Sequence, residues 1–503
     1  MILKPQTLDI RIILHFLGKI VLGFGVMMVL PVVVSIMFGE IVPVVDFAIG
    51  LVASISTGTL CILLARLDKH MEMSWMHGMV VVSFGWLVCM FLGAIPLYLS
   101  GHWQSFLDAC FESMSGLATT GLTLVQDLDH LSHGANFWRH LMMFLGGQGI
   151  VVVALSFLVK GGSGAFRMYV GEGRDEKILP NVVETAKFIW LVSLVYFGLG
   201  TLLLALCGYF SVGLSLREAI FHGACIFMAA FDTGGFSPQS QSIIYYQSWL
   251  FEFCTIIVMV WGAINFNLHY AIWNGKRREL WKDVEIRTFM ITLSLMTLLA
   301  AVALAKGHVY GDLASLGRRG LYQIISAHTT TGFSTIYSQQ FMLEWKSLAL
   351  LAIILAMGMG ASICSTTGGI KMLRIGLIGK AFREDIKRFL MPDSSVVSTK
   401  FHHLKDMFLD DKLVRSAALM TIAYVLVYLF GTAAACFAGY PLLESLFEST
   451  SAAGNVGLSC GITQVGMPAF LKGVYILQMW AGRLEFISIL VLGGFIVSYI
   501  RGK

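Results

Sequence analysis

The stretch FESMSGLATTGLT, Phe111–Thr123, has a near copy far down the chain, FESTSAAGNVGLS, Phe447–Ser459. The two align without a gap: Phe-Glu-Ser-x-Ser, five residues, then Gly, Leu and a hydroxyl residue. A third copy, YQIISAHTTTGFS at Tyr322–Ser334, keeps the aromatic residue, Gln for Glu, and the serine at the same offsets. The fourth, CIFMAAFDTGGFS at Cys225–Ser237, keeps only the end. Their shared core is x-x-Gly-[Leu/Phe]-[Ser/Thr], with glycines Gly121, Gly235, Gly332 and Gly457. Another glycine follows each by 25 to 27 residues: Gly146, Gly262, Gly358 and Gly482. A fixed period of this kind marks one supersecondary unit used repeatedly.

The setting of the repeat is apolar. Of 503 residues, 57% are hydrophobic and 13% charged, against about 25% charged in soluble domains. The runs Ile12–Phe38, Val45–Ala65, Met79–Leu99, Phe188–Ala205 and Ala417–Ala438 are long enough to cross a ~30 Å hydrocarbon layer. Each phrase follows a span and a short amphipathic stretch. The fold expected is therefore an all-α polytopic membrane protein. It comprises four pseudo-repeats of span, pore half-helix, glycine filter loop and span around one pore, plus an N-terminal two-helix hairpin. The boundaries are 1–70 for the hairpin, then 71–165, 166–275, 276–405 with a broken second span, and 406–503. The N-terminal run is too long for a cleavable signal. The nine cysteines, with no CxxC pair, read as small apolar residues.

Lys and Arg cluster in alternate loops, and positive loops stay in the cytoplasm. Lys4 and Arg11, Arg66 and Lys69, Lys160 to Lys187, Lys276 to Arg287, Lys371 to Arg415, and Arg501 with Lys503 hold 26 of the 35. Arg139, Arg217, Lys306, Arg318, Arg319, Lys346 and Lys472 fall in the other loops. This pattern predicts ten full spans, both termini cytoplasmic, and the glycine phrases on the outer side of a plasma membrane, in the simplest placement a prokaryotic inner membrane.

Irregular backbone survives in a membrane only where it is buried in protein or lines water. Four glycine loops around one axis would line a pore, and their carbonyls would replace the water shell of an alkali cation. Glycine is needed because consecutive carbonyls point to one side only if some residues take φ > 0. The half-helices would aim their partly negative C-terminal ends inward. Two positions before each glycine stand Thr119, Thr233, Thr330 and Asn455; one before stand Thr120, Gly234, Thr331 and Val456. The second set is less uniform, which allows looser selectivity. Glu112, Gln323 and Glu448 share one half-helix position and are expected to brace the filter through backbone N–H groups.

GMGASICSTTGGIK, Gly358–Lys371, interrupts an apolar run. Gly358, Gly360, Ser365, Thr366, Thr367, Gly368 and Gly369 suit either a loop across the pore below the filter or close helix packing through small residues. Arg483 lies mid-span, where an arginine needs a partner or water. Glu485 is one partner, though two residues apart on a helix they face differently; the carbonyls of the 358–369 loop are the other. Lys371 and Arg374, at the loop's inner end, either add to that barrier or serve as ordinary positive-inside anchors, the second being the better reading.

These residues resemble the Trk/Ktr/HKT superfamily of potassium transporters, within it the TrkH branch, over essentially the whole chain. LGGQGI at Leu145–Ile150, INFNLHY at Ile264–Tyr270, CSTTGGIK at Cys364–Lys371 and AGRLEF at Ala481–Phe486 look like its second-span motifs, and the N-terminal hairpin is a mark of that branch. The resemblance implies Gly121, Gly235, Gly332 and Gly457 as filter glycines favouring potassium over sodium. It also implies an intramembrane gating loop, an arginine at Arg483 acting on it, a homodimer, and a cytosolic nucleotide-binding regulatory subunit of the TrkA type. Potassium is then the transported ion and no covalently bound cofactor is expected. Asp232, where the other repeats have Ala118, Thr329 and Gly454, departs from the pattern. It would either attract cations or sit hydrogen-bonded behind the half-helix.

Membrane lipid is the expected contact of the basic segments, and no nucleic-acid partner is implied. An enzyme is disfavoured: His402, His403, His222 and His328 lack HExxH spacing, and GLSCG at Gly457–Gly461 has neither the strand before it nor the helix after it that a nucleophile elbow needs. A cation symporter coupled to H+ or Na+ would want several midplane ionisable residues, and beyond Arg483 and Glu485 few occur.

Overall fold

The computed structural model describes residues 5–65, 73–125, 127–157, 163–174, 176, 178–179, 181–392 and 398–502. Lys4, Arg66, Lys69, Lys160, Lys177 and Lys503, which contribute to the topology argument, lie outside that set, as does the boundary at residues 70 and 71.

The N-terminal hairpin pairs Thr7–Phe38 with Ile41–Leu64, turning at Gly39 with φ 75°. It packs on the first span of repeat 1, Trp75–Leu99. That span is consequently 72% buried, against 22% for Ile41–Leu64, whose apolar surface faces outward. The first spans of the other repeats are Val182–Cys207, Val284–Lys306 and Asp411–Phe437, opened by Asn181, Asp283 and Asp410, whose side chains accept from first-turn amides. Such caps satisfy the orphan N–H groups of a helix start.

The half-helices are Phe106–Leu117, Leu216–Phe231, Tyr322–His328 and Leu442–Ala453. At 1.5 Å per residue a 12-residue helix covers about 18 Å, too little to cross. Each second span packs on the next repeat's half-helix: His133–Gln148 on the second, Trp249–Ala263 on the third, Ser347–Gly358 on the fourth, and Ala469–Arg483 back on the first. The ring is closed.

Two expectations change. Among the described residues six helices are long and apolar enough to cross and two bent pairs raise that to eight, against the ten full spans expected; the shorter His133–Gln148 and Ser347–Gly358 serve the other repeats. The break expected only in repeat 3 occurs in all four second spans. Repeat 1 breaks at Gly149, φ 94°, before Ile150–Phe157. Repeat 2 bends by 101° into Phe266–Trp273, and repeat 4 by 116° into Ile487–Arg501. Glu485 and Phe486, both at positive φ, make the last bend, an unusual conformation for a bulky residue. The all-α expectation also misses a small antiparallel hairpin, Lys400–His403 with Lys405–Phe408.

Arg139 and Lys472 are not in loops. Both are buried in second spans, because each meets a buried carboxylate. Lys472 Nζ donates to Asp108 Oδ1 at 2.5 Å and to the Val465 carbonyl at 2.9 Å, tying repeat 4 to the half-helix of repeat 1. Lys472→Met would strand the Asp108 charge, at a cost of about 3–5 kcal/mol. Thermal unfolding in detergent should show a large drop in midpoint, partly recovered in the Lys472→Met/Asp108→Asn double variant. A drop unchanged by the second substitution would mean that Lys472 acts through packing alone.

Candidate functional site

Each half-helix ends in the same way. The amides of Thr120, Gly234, Thr331 and Val456 donate to the carbonyls of Ser115, Ala229, Ser326 and Ser451 at 2.8–2.9 Å. This is a Schellman-type closure, which calls for a left-handed residue. Thr119, Thr233, Thr330 and Asn455 occupy it, with φ between 50° and 54°. The middle residue returns to negative φ, and Gly121, Gly235, Gly332 and Gly457 turn left-handed again, at 74° to 94°. Alternating handedness directs successive carbonyls to one side, the arrangement a dehydrated cation needs.

The four loops also touch in order. A Cβ on Gly121 would overlap the carbonyl oxygen of Gly234; on Gly235, that of Thr331; on Gly332, that of Val456; and on Gly457, that of Thr120. A ring of backbone results in which each glycine leaves space for its neighbour's oxygen. All four glycines line one open cavity of about 260 Å³. The later glycines have a related reason. A Cβ on Gly146, Gly262 or Gly482 would overlap the carbonyl of Leu117, Phe231 or Ala453 at the end of the half-helix in its own repeat. Gly358 has no such overlap; its carbonyl accepts instead from Tyr428 Oη at 3.1 Å.

The loops are braced from behind. Glu112 accepts from Thr123 Oγ1 (2.9 Å), Leu124 N (3.2 Å) and Arg139 Nε (2.8 Å). Glu448 accepts from Ser459 Oγ (2.8 Å) and from Cys460 N and Thr463 N (both 3.0 Å). Gln323 donates to Thr335 Oγ1 at 3.0 Å. Arg139 was not foreseen. Fully buried, it stacks on Phe236 (4.1 Å) and donates to the Ser237 carbonyl, reaching from repeat 1 to the loop of repeat 2. The signal was a single arginine in the apolar run NFWRHLMMF.

Next to the left-handed Thr233 and Thr330 runs the 359–371 segment. Gly360 N donates to the Ile370 carbonyl and Ile370 N to the Gly358 carbonyl, pinching its two ends together at 3.0 and 3.1 Å. Thr366 Oγ1 bonds the Phe231 and Gly262 carbonyls, both at 2.9 Å, and takes a bond from Thr233 Oγ1. Gly368 N donates to Thr330 Oγ1 at 3.0 Å, and a Cβ on Gly368 would overlap the Gly454 carbonyl. Ser365 and Thr367 bond each other at 2.8 Å. Arg483 Nη1 donates to the Thr366 carbonyl at 2.7 Å, while Nη2 donates to the Gly146 and Gly147 carbonyls at 2.6 and 2.9 Å. The loop thus touches repeats 2, 3 and 4 directly and repeat 1 through Arg483.

Glu485 pairs with Arg374 rather than with Arg483. Lys371 is buried and donates to the Thr367 carbonyl. Neither Lys371 nor Arg374 is therefore a simple surface anchor. Asp232 is fully buried and accepts from Gln148 Nε2 at 2.7 Å, with Arg483 and Arg174 within electrostatic reach.

A family model described as TrkH, cation transport protein, matches residues 44–497. The chain belongs to this family. TrkH proteins are membrane transporters, so the chain is an integral multi-pass membrane protein and not an enzyme. It is 32% identical to an uncharacterized cation transporter of Methanocaldococcus jannaschii, over 96% of this chain and 95% of that one. It is 28% identical to the Trk system potassium uptake protein TrkH of Escherichia coli, over 96% and 98%. The crystal structure of the potassium transporter TrkH from Vibrio parahaemolyticus superposes with a TM-score of 0.80 at 27% identity, covering 96% of this chain and 98% of that one.

The loop is also held from the opposite side. Glu285 Oε1 accepts from Ile363 N at 2.7 Å. Beside it, His403 of the small hairpin bonds Asp283 through Nδ1 (3.0 Å) and Glu176 through Nε2 (2.5 Å). Burial opposes its charge, but these carboxylates push His403 up to about 11 from the usual 6.5. A raised value means its contribution is complete below about 6.5 and fades as pH rises through about 11. The unfolding midpoint of the native chain should therefore exceed that of His403→Gln most at pH 6, with the gap shrinking toward pH 11. A gap constant over that range would show that the imidazolium is not what holds the hairpin.

Proposed function

We propose that this chain is the pore-forming subunit of a potassium uptake system, passing K+ through the four-loop filter down the membrane potential. The observation that carries the reading is the closed ring of alternating left- and right-handed backbone at Thr119–Gly121, Thr233–Gly235, Thr330–Gly332 and Asn455–Gly457. The names of the E. coli and V. parahaemolyticus relatives, both potassium transporters, support the choice of ion. The 359–371 loop is the gate in this reading, and Arg483 is its lock. Its guanidinium fills carbonyl bonds that the loop would have to release, and it sets a positive charge in the path of a cation. Both termini are cytoplasmic, the functional unit is a homodimer, and a nucleotide-binding regulatory subunit of the TrkA type acts on the basic face.

The uneven middle positions, Thr120, Gly234, Thr331 and Val456, favour a second reading in which sodium also passes. One assay separates the two. The purified chain in proteoliposomes under an imposed potential should take up K+ and Rb+ well ahead of Na+. Gly332→Ala, which would push the Val456 carbonyl out of the ring, should reduce K+ flux at least tenfold or erase the preference. Flux untouched by that substitution would refute the filter. Arg483→Gln should raise K+ flux several-fold by freeing the loop, and unchanged flux would refute the lock. Dependence on an imposed proton or sodium gradient, rather than on potential, would instead favour a symporter.

A further inference from the structure

On the basic side, an open cavity of about 700 Å³ lies between Val284–Lys306, Met372–Leu390 and the 400–408 hairpin. Lys282, Arg287, Lys380, Arg383 and Lys400 line it, against the single carboxylate of Asp406. That carboxylate is already engaged by Lys400 and by His402, both at 2.7 Å. Lys282 pairs with Glu279 at 3.3 Å, and Arg287 Nε donates to the Trp281 carbonyl at 2.8 Å. Among the described residues, Arg287, Lys380 and Arg383 form no ion pair with a carboxylate there; the pairs near the cavity are those of Lys282, Lys400 and His402. Burial and the like charges of Arg383, Arg287 and Lys387 hold Lys380 below its usual value. Converging cations of this kind are stabilised by an anion that several of them share.

The form of the cavity points to what carries the anion. Its inner wall includes Ile375 and Ile291, and Ile291 is 59% exposed. Ile291, Leu295 and Leu298, at i, i+4 and i+7, form one exposed apolar strip along the span. On the amphipathic Met372–Leu390 helix, Phe382, Ile386 and Phe389 are exposed as well. A charged basin opening onto an apolar strip fits a phosphate headgroup with acyl chains, not a free anion.

We propose that this cavity is a binding site for the phosphate headgroup of an anionic phospholipid of the cytoplasmic leaflet, held by Arg287, Lys380 and Arg383. The site adjoins the gate. Met372–Leu390 continues directly from the 359–371 loop, and Gly376 lies against Thr288 of the neighbouring span. One turn further, Thr292 Oγ1 bonds His328 Nε2, at the end of the third half-helix, at 2.8 Å, and Met372 Sδ at 3.5 Å. A headgroup clamping the two helices therefore stiffens the exit of the loop. This second consequence rests on the gate reading above; binding itself does not.

The test is native mass spectrometry of the full chain from phosphatidylglycerol/phosphatidylcholine micelles. It compares the native chain, the cavity triple Arg287→Gln/Lys380→Gln/Arg383→Gln, and a control triple at exposed sites outside the cavity, Arg277→Gln/Arg278→Gln/Lys412→Gln. The native chain and the control should retain phosphatidylglycerol over phosphatidylcholine. The cavity triple, with an unchanged unfolding midpoint, should lose affinity roughly fivefold per charge removed. Equal loss in both triples would overturn the site in favour of diffuse attraction. Displacement by millimolar inorganic phosphate would overturn the lipid in favour of a small anion. Failure of the cavity triple to dimerise where the control does would assign the surface to a second copy instead. Flux that rises or falls with phosphatidylglycerol content in the native chain but not in the cavity triple would support the coupling. Lipid binding without any flux response would remove the coupling and leave the site.

Discussion

Backbone inside a membrane has no water to bond, so every carbonyl must be matched by protein or turned toward a wet path. Four loops here bring their glycines to one open cavity, and much of the molecule follows from that constraint. Each loop needs two left-handed residues, and each glycine must leave its Cβ space to the next loop's oxygen. The ring tolerates little independent movement of one loop, because the glycine of each is the clearance of another. Thr119, Thr233 and Thr330 stay left-handed despite β-branching, a strained choice that the half-helix closures enforce. Thr233 and Thr330 use it to present hydroxyls to the loop below.

Buried charges do the tying between repeats. Lys472 joins repeat 4 to repeat 1, Arg139 joins repeat 1 to the loop of repeat 2, and Arg483 joins repeat 4 to both repeat 1 and the 359–371 segment. Arg139 and Lys472 meet buried carboxylates, the condition under which a desolvated charge persists. Arg483 differs, since its two fork nitrogens meet only carbonyls in the described contacts. Gly146 and Gly147 lie at the broken end of a helix and Thr366 in the 359–371 segment, so the breaks that free these carbonyls create the arginine's site. Moving the loop would release the bond at Thr366 while those to Gly146 and Gly147 stay in place.

The opposite face repeats the theme with solvent nearer. Glu285 holds the loop at Ile363, and its neighbour Asp283 holds His403 and the Leu404 amide of the small hairpin. Glu176, ahead of the first span of repeat 2, closes the cluster with Asn265 and Asn267. Four segments distant in sequence thus share one polar knot directly beneath the loop. Any force applied to the hairpin has a short, hydrogen-bonded route to Ile363.

The fourfold repeat, the half-helices and the positions of the four left-handed loop glycines were all legible in the sequence. Each is a local requirement repeated at nearly constant spacing: Gly121, Gly235, Gly332 and Gly457 are glycines because of their own φ and a single close neighbour. The pairing of Glu112 and Glu448 with nearby amides is local too, lying within one loop. What was not legible depends on pairs far apart in the chain. Arg139 and Lys472 looked like loop cations because hydropathy weighs a charge without knowing its partner, and the carboxylates of Glu112 and Asp108 become neighbours only when the ring closes. The second spans read as continuous because LGGQGI and AGRLEF are apolar enough to cross. In the structure the carbonyls at the broken ends are taken by other segments, Gly146 and Gly147 by Arg483 and Gly262 by Thr366, partnerships that sequence periodicity does not register.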